Sequence, residues 1–200
     1  MNYEFPEALL IQFAKAPQLG QVKTRMQPVL SVEQSLTLHR QLVQRTHQTL
    51  HHEALCHSQL WISGEDNEGF FQSLKPLPVI KHQRGDDLGE RMYEAIAAGL
   101  NHKSAVVLIG SDCPAISVDY LRTALCALKK VDVVLGPATD GGYVLIAMKK
   151  AERAVFAHVD WSTPRVLQQT RARLRASKLS CFELPVLHDI DRPEDLIHLD

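Results

Sequence analysis

A carboxylate follows directly on an apolar run near the middle of the chain. In the stretch AVVLIGSDCPAI, Ala105 to Ile109 read as a strand, and the turn Gly110–Ser111 leads into Asp112. A carboxylate here suits a magnesium ion that bridges phosphates, because Mg²⁺ takes one or two protein carboxylates and completes its shell with water and phosphate oxygens. Asp is also a common turn former. On this stretch alone, the turn is the simpler interpretation.

A basic segment follows the first apolar run of the chain, with the sequence FAKAPQLGQVKTRM. Its cations Lys15, Lys23 and Arg25 have the chemistry to bind phosphate, Arg as a two-point fork and Lys as a mobile point charge. The spacing is neither that of a Walker A loop nor that of GxGxxG. A solvated surface loop explains these residues equally well.

The stretch HQRGDDLGERM combines a helix start with residues that suit a ligand. Asp87 and Glu90 form a helix-capping pattern, which accounts for Asp87 without any ligand. Gly85 lets backbone amides approach a bound molecule closely. The helix start that follows favours negative charge.

Two further acidic stretches are GPATDGGY and HDIDRPEDL. Asp140 with its two following glycines is typical of a hairpin turn, and Asp191 with Glu194 is typical of a helix N-cap. Both aspartates could also reach a cleft. Other catalytic patterns do not fit, because HEALCH has cysteine where a zinc protease needs its second histidine, and IGSDCP lacks the second glycine of a nucleophile elbow.

The four loops connect strand-like apolar runs that alternate with segments of helical periodicity. Such alternation predicts an α/β fold with a mostly parallel sheet and helices on both faces. A strand–turn–strand unit after Asp132 predicts one antiparallel insertion. Ligands of open α/β sheets bind at the carboxyl ends of the strands, so these loops are the ones to inspect. The predicted strands are 8–14, 59–63, 78–81, 105–109, 132–136, 143–148 and 180–184, and the predicted helices follow Ser31, Gly69, Asp87, Ser117, Ser162–Thr163 and Asp191.

Composition limits the classes of function. A chain of 200 residues, 45% hydrophobic, predicts a single domain over residues 1–200. A net charge of -1 favours neither nucleic acid nor an anionic membrane as partner. We expect no membrane insertion and no secretory signal, because no apolar run has the required length. Scattered cysteines, at 56, 113, 126 and 181, are typical of free thiols, so we expect a cytoplasmic protein.

Taken in order, six motifs resemble one bacterial family. They are FAKAPQLGQVKTRM, QRGDDLGERM, LIGSDCPAI, LGPATDGGYVLIA, VDWSTPRV and DIDRPEDL, from about Phe13 to Leu196. The family is long catalogued as a domain of unknown function and is often named arsenosugar-biosynthesis-type glycosyltransferase. It belongs to the GT-A, nucleotide-diphospho-sugar transferase class. The resemblance implies a single-domain GT-A fold that binds a nucleotide at the carboxyl edge of a Rossmann-like sheet.

The resemblance also implies roles for individual residues. Asp112 would be the metal-binding carboxylate, and Asp191, with Asp189 as the alternative, would complete a Mg²⁺ or Mn²⁺ site. Asp112 and Asp140 would be the catalytic residues. Asp86 and Ala147 stand where glycine is usual in the family. The nucleotide- and phosphate-binding segments contain Ala14, Lys15, Lys23, Arg25, Gln83, Gly85, Asp86 and Ser111, and the sugar- or acceptor-binding segments contain Gly141, Gly142, Tyr143 and Trp161.

The reaction that these roles imply is transfer of a sugar from a nucleoside diphosphate sugar to a small-molecule acceptor, by a monomer or a homodimer. The metal would neutralise the diphosphate leaving group, helped by Lys23 and Arg25. The same cleft would serve a nucleotidyltransferase, which takes a nucleoside triphosphate and releases pyrophosphate. A nucleotide-binding module without turnover is a third hypothesis.

Overall fold

Strands and helices alternate along the chain as the hydrophobic pattern predicts. The computed structural model describes residues 2–27 and 29–199. The domain predicted over 1–200 stays a prediction, and residues 1, 28 and 200 lie outside the described part. In chain order, the elements are β1 Ala8–Lys15, α1 Val32–His52, β2 His57–Ser63, α2 Phe70–Ser73, β3 Ile80–His82, α3 Leu88–Leu100, β4 Ala105–Ile109, α4 Val118–Leu128, β5 Val133–Pro137, β6 Tyr143–Met148, α5 Val166–Ala176 and β7 Cys181–Glu183, with 3-10 helices at Thr24–Met26, Arg153–Val155 and Pro193–His198.

One seven-stranded sheet has the order β3-β2-β1-β4-β6-β5-β7. The β1 strand pairs parallel with both β2 and β4, whereas β6 runs antiparallel to β4 and β5. The predicted antiparallel insertion is therefore confirmed and consists of β6. Because every other pairing is parallel, the carboxyl ends of β1, β2, β3, β4 and β5 share one edge of the sheet.

Helices cover both faces of this sheet, as predicted. Along β1, Leu10 packs in one cluster with side chains of α1 and α4. Its neighbours Leu9 and Ile11 pack in a second cluster with α3 and α5. Successive strand residues point to opposite faces, so the two clusters are separate cores. The two-sided burial explains why β4 is apolar without alternation.

Side-chain caps fix several helix starts where the sequence indicates them. The Ser31 hydroxyl accepts the backbone N–H of Gln34, whose side chain in turn accepts the N–H of Ser31. Asp87 accepts the N–H of Glu90 at the start of α3. Together with the Ser117 cap of α4, these bonds satisfy donors that the first helical turn leaves free.

Two predicted helix starts differ from the structure. The α5 helix begins only at Val166, because the Thr163 hydroxyl donates to Asp160 and holds a turn there. The C-terminal helix is a 3-10 helix, Pro193–His198, and Asp191 is not its cap. Instead, the Asp195 carboxylate accepts the backbone N–H of Asp191, so the Asp191 side chain is free for another partner.

None of the helices in the described part of the chain combines the length and the hydrophobicity needed to cross a bilayer. All four cysteines are free thiols.

Candidate active site

A cavity of about 710 Å³ opens at the carboxyl edge of the sheet. Loops after β1 to β5 form its walls, together with the Trp161 loop and the segment that carries Asp189 and Asp191. A volume of this size suits a nucleotide-sized ligand. Of the residues predicted for the site, the cavity is lined by Ala14, Lys15, Arg25, Gln83, Ser111, Asp112, Asp140, Gly142, Tyr143, Trp161 and Asp191.

Buried hydrogen bonds hold the loop after β4 against β1. The Ser111 hydroxyl donates to the carbonyl oxygen of Phe13 at 2.7 Å, and it accepts from the amide of Gln12 at 3.0 Å. Gln12 lies within β1 and is only 1% exposed, although its side chain is polar. The Ser111 hydroxyl and the Gln12 amide nitrogen are therefore buried and bonded, and they fix the turn that presents Asp112 at the cavity, although Gln12 Oε1 has no partner.

The C-terminal segment joins the same loop. The backbone N–H of Ile190 donates to the carbonyl oxygen of Asp112 at 2.8 Å. Ile190 is fully buried, and its neighbours Asp189 and Asp191 both line the cavity. Two segments far apart in sequence therefore bring three carboxylates to one wall.

Two cations of the chain contact two of these carboxylates. Lys23 Nζ lies 2.6 Å from Asp112 Oδ1, and Arg25 Nη1 lies 2.6 Å from Asp191 Oδ2. The hydrogen bond to Asp191 raises the pKa of Arg25 further above its usual range, chiefly by stabilising the charged guanidinium. Lys23 is absent from the cavity lining, since its side chain is only 4% exposed.

Asp189 is the carboxylate whose protonation the site changes most clearly. Burial raises its pKa to about 6, and the charges of Asp140, Asp112 and Asp191 add to the effect. Both causes disfavour the ionised form in the same direction. Nearby carboxylates therefore repel one another at this wall, which is an arrangement that a divalent cation relieves.

The donor set fits a hard divalent cation. Asp112, Asp189 and Asp191 offer carboxylate oxygens, which are the ligands that Mg²⁺ prefers and Mn²⁺ accepts. The Asp112 side chain is half exposed, and its bond to Lys23 engages only Oδ1. No group of three metal-ligating side chains is already assembled among residues 2–27 and 29–199, and Mg²⁺ with its bound water and phosphate oxygens needs only one or two of these carboxylates.

We expect Asp189→Asn to stabilise the metal-free protein at pH 8 by about 1–2 kcal/mol, a figure reduced for partial exposure. The folded-state pKa, about 6, lies above the unfolded value. The contribution of the Asp189 carboxyl group to the free energy of unfolding is therefore fully present below about pH 4, where the group is protonated, and is lost as the pH rises through 6. Urea denaturation in EDTA at several pH values measures the difference. An equal gain at pH 4.5 and at pH 8 would contradict the ionisation argument.

One wall of the cavity is aromatic. Tyr143 and Trp161 contact edge to face, with ring centroids 6.4 Å apart. The indole lies directly on α3, because a Cβ built on Gly89 would be 2.5 Å from it. Asp140 Oδ1 accepts the N–H of Gly142 at 2.7 Å, which confirms the turn and leaves Oδ2 available at the cavity.

Besides Lys23, three predicted contact residues lie outside the lining. Gly141, with φ of 88°, packs against Pro164 behind the cavity wall. Gly85, with φ of 130°, turns the chain so that its carbonyl oxygen accepts from Arg91 Nε at 3.0 Å. The backbone N–H of Asp86 donates to Glu90. These residues shape the wall and the start of α3.

Sequence reasoning missed other residues that line the cavity. One is Arg91, which follows the Asp87 cap by about one helical turn and for which the motif QRGDDLGERM predicts no role. His39 also lines the cavity, and its Nε2 lies 2.9 Å from the carbonyl oxygen of Lys15. Burial lowers the pKa of His39, so its neutral form is favoured. Nothing in its local sequence distinguishes it from other helical histidines.

Comparison with known proteins gives the chain a family. Residues 43–163 match the family described as uncharacterized proteins conserved in bacteria, DUF2064. A crystal structure from Desulfovibrio desulfuricans G20, named as a candidate nucleotide-diphospho-sugar transferase, is 32% identical, with a TM-score of 0.89 over 96% of this chain and 85% of that one. No curated protein matches.

More distant structures share the fold alone. CMP:2-keto-3-deoxy-manno-octonic acid synthetase in complex with CTP has a TM-score of 0.61 at 11% identity, over 96% of this chain and 95% of that one. Rv0371c of Mycobacterium tuberculosis H37Rv, in complex with manganese, has a TM-score of 0.62 at 13% identity, over 96% and 97%. The chain belongs to the DUF2064 family and has the nucleotide-diphospho-sugar transferase fold.

Proposed function

We propose that this transferase moves a sugar from a nucleoside diphosphate sugar to a small-molecule acceptor, with Mg²⁺ or Mn²⁺ as cofactor. The observation that carries the proposal is the meeting of cations and carboxylates in one cavity at the carboxyl edge. Arg25 and Lys15 line it together with Asp112, Asp189 and Asp191. A diphosphate needs the cations, and a divalent metal that accompanies it needs the carboxylates.

The binding roles follow from the position of each group. Asp112 and Asp191, or Asp189 in place of Asp191, would hold the metal, which supplies charge neutralisation of the diphosphate leaving group. Lys15, Lys23 and Arg25 would share that charge. At the ends of β1, β3 and β4, the nucleotide would contact Ala14, Gln83 and Ser111.

The acceptor would lie at the aromatic wall, against Gly142, Tyr143 and Trp161. Its hydroxyl oxygen attacks the anomeric carbon, and the bond from that carbon to the diphosphate oxygen breaks. Asp140 Oδ2 takes the hydroxyl proton, because Oδ1 already accepts the N–H of Gly142. The leaving diphosphate keeps the bonding electrons.

Nucleotidyl transfer is the second candidate, favoured by the CTP complex of a protein with the same fold. In that reaction, an oxygen of a phosphorylated substrate attacks the α-phosphorus of a nucleoside triphosphate, and pyrophosphate leaves. The same carboxylates and cations would serve, since fold and charge pattern are common to both reactions. The released group separates them.

A thermal-shift panel tests the proposal, with each common nucleoside triphosphate and nucleoside diphosphate sugar, with and without Mg²⁺ or Mn²⁺. A ligand at a hundredfold excess over its Kd stabilises the folded state by about 2.7 kcal/mol. Metal-dependent stabilisation by one diphosphate sugar, followed by release of a nucleoside diphosphate on adding acceptors, would support glycosyl transfer. Stabilisation by a triphosphate alone favours nucleotidyl transfer, and binding without turnover favours a nucleotide-binding module. No stabilisation by any nucleotide contradicts all three.

A further inference from the structure

The two cations of the Lys-Thr-Arg segment both form ion pairs with carboxylates of the chain. Lys23 pairs with Asp112, and Arg25 pairs with Asp191, each at 2.6 Å. Each pair joins one residue proposed to bind phosphate with one proposed to bind metal. In the unliganded protein, each cation therefore neutralises a carboxylate that a metal would otherwise neutralise, and each carboxylate neutralises a cation that a diphosphate would otherwise neutralise.

Lys23 is the more constrained of the two. Its side chain is 4% exposed, and Nζ also donates to the carbonyl oxygen of Ile190 at 2.5 Å. Ile190 in turn donates its N–H to the carbonyl oxygen of Asp112. The ammonium thus lies at the junction of the loop after β4 and the C-terminal segment, where it contacts both sides. Buried lysines are uncommon unless paired, so the pairing with Asp112 accounts for its position.

The same groups cannot serve both sets of partners fully. A divalent cation on Asp112 repels an ammonium 2.6 Å from the same carboxylate, and a diphosphate attracts that ammonium away. Arg25 and Asp191 face the same exchange, although the Arg25 side chain is 53% exposed and so moves more freely.

We propose that Lys23 and Arg25 occupy the metal-binding carboxylates of the unliganded protein, and that metal and diphosphate together release them. This charge latch, made of the pairs Lys23–Asp112 and Arg25–Asp191, rests on the proposed function. It assigns each cation two alternative partners, a carboxylate before binding and a phosphate oxygen afterwards.

The latch couples the two ligands. Metal that binds alone takes the carboxylates and leaves Lys23 and Arg25 without counter-charges. Diphosphate that binds alone takes the two cations and leaves the negative carboxylates unpaired beside it. When both bind, every charge regains a partner of opposite sign. Each ligand therefore raises the affinity for the other by the same factor.

The direct test is binding of Mn²⁺ alone, measured from the electron paramagnetic resonance signal of the free ion. Lys23→Met keeps the apolar stem and removes the charge that competes for Asp112. We expect it to bind Mn²⁺ about tenfold more tightly than the wild type, a factor equivalent to about 1.4 kcal/mol. We expect Arg25→Met to bind Mn²⁺ more tightly than the wild type as well. Because the Arg25 side chain is 53% exposed, this variant keeps the fold and still tests the proposal if Lys23→Met is unstable.

Lys103→Met is the matched control. Lys103 donates to the carbonyl oxygen of Pro6 at the amino edge of the sheet, far from the cavity, so its loss leaves Mn²⁺ affinity unchanged. If Lys23 and Arg25 only bind phosphate, neither variant gains Mn²⁺ affinity, and that result overturns the latch.

Failure of the latch and failure of the proposed function give different results. Wild-type protein that binds a diphosphate sugar in a metal-dependent way, with no gain of Mn²⁺ affinity in either Met variant, refutes the latch alone. No Mn²⁺ binding by any variant, together with no stabilisation by any nucleotide, refutes both.

Discussion

Asp112→Asn is expected to abolish the metal dependence of nucleotide binding while the protein stays folded. The substitution keeps the size of the side chain but removes the negative charge that would hold Mg²⁺ or Mn²⁺ at the end of β4. Without the metal the diphosphate lacks a counter-ion, so we expect the Kd for the nucleotide in the presence of metal to rise about a hundredfold, equivalent to about 2.8 kcal/mol, toward its metal-free value. Calorimetric titration with and without metal measures both constants.

The fold tolerates this change for a structural reason. The Asp112 side chain is half exposed, and the loop is held by Ser111 and by the backbone bond to Ile190, neither of which the substitution alters. Lys23 loses its charged partner, which costs about 1–3 kcal/mol of unfolding free energy. Circular dichroism and urea denaturation separate this cost from the loss of binding.

Asp119→Asn provides the same chemical change outside the cavity. Its side chain is 90% exposed on α4 and pairs with Arg122. Metal-dependent affinity should be unchanged in this variant. If Asp112→Asn binds the metal–nucleotide pair as tightly as Asp119→Asn does, Asp112 is a turn former and the metal assignment is wrong.

The order of elements could be predicted because each one has a local signal. The β4 strand is apolar throughout, and α1, α3 and α4 begin at Ser or Asp caps that the structure confirms. The predicted start of α5, at Ser162–Thr163, is too early because the Thr163 hydroxyl donates to the carbonyl oxygen of Asp160 and accepts the N–H of Arg165, in a turn that precedes the helix. Such competition between neighbouring polar groups depends on geometry that the residue order does not contain.

The location of the candidate cavity can be predicted from the fold, but its ion pairs cannot. The sheet-edge rule brings the loops of Asp112, Asp140 and Lys15 together, whichever residues they carry. The path of the C-terminal segment decides which charged side chains pair. The backbone of Ile190 bonds to Asp112, and this places Asp191 beside Arg25. That docking joins distant parts of the chain, and no local pattern indicates it.

Gly141 and Gly142 show the same limit within one motif. The resemblance predicts that both contact the sugar or acceptor, but only Gly142 lines the cavity. Gly141 has φ of 88°, and a Cβ on it would lie 2.8 Å from the Cα of Pro164. Its carbonyl oxygen also accepts the N–H of Leu167 at the start of α5. Its glycine is therefore explained by packing between two loops.

Gly141→Ala should consequently lower the free energy of unfolding by about 3 kcal/mol, from the left-handed backbone and from overpacking against a backbone that cannot yield. Gly142→Ala is the matched control, because its Cβ would lie 3.1 Å from Asp140 Oδ1, the end of a side chain that can move. We expect it to change stability by less than about 1 kcal/mol. Urea denaturation of both variants makes the comparison. Equal stabilities would mean that the contact with Pro164 does not hold the Asp140 turn against the Trp161 loop, and would contradict the packing explanation of Gly141.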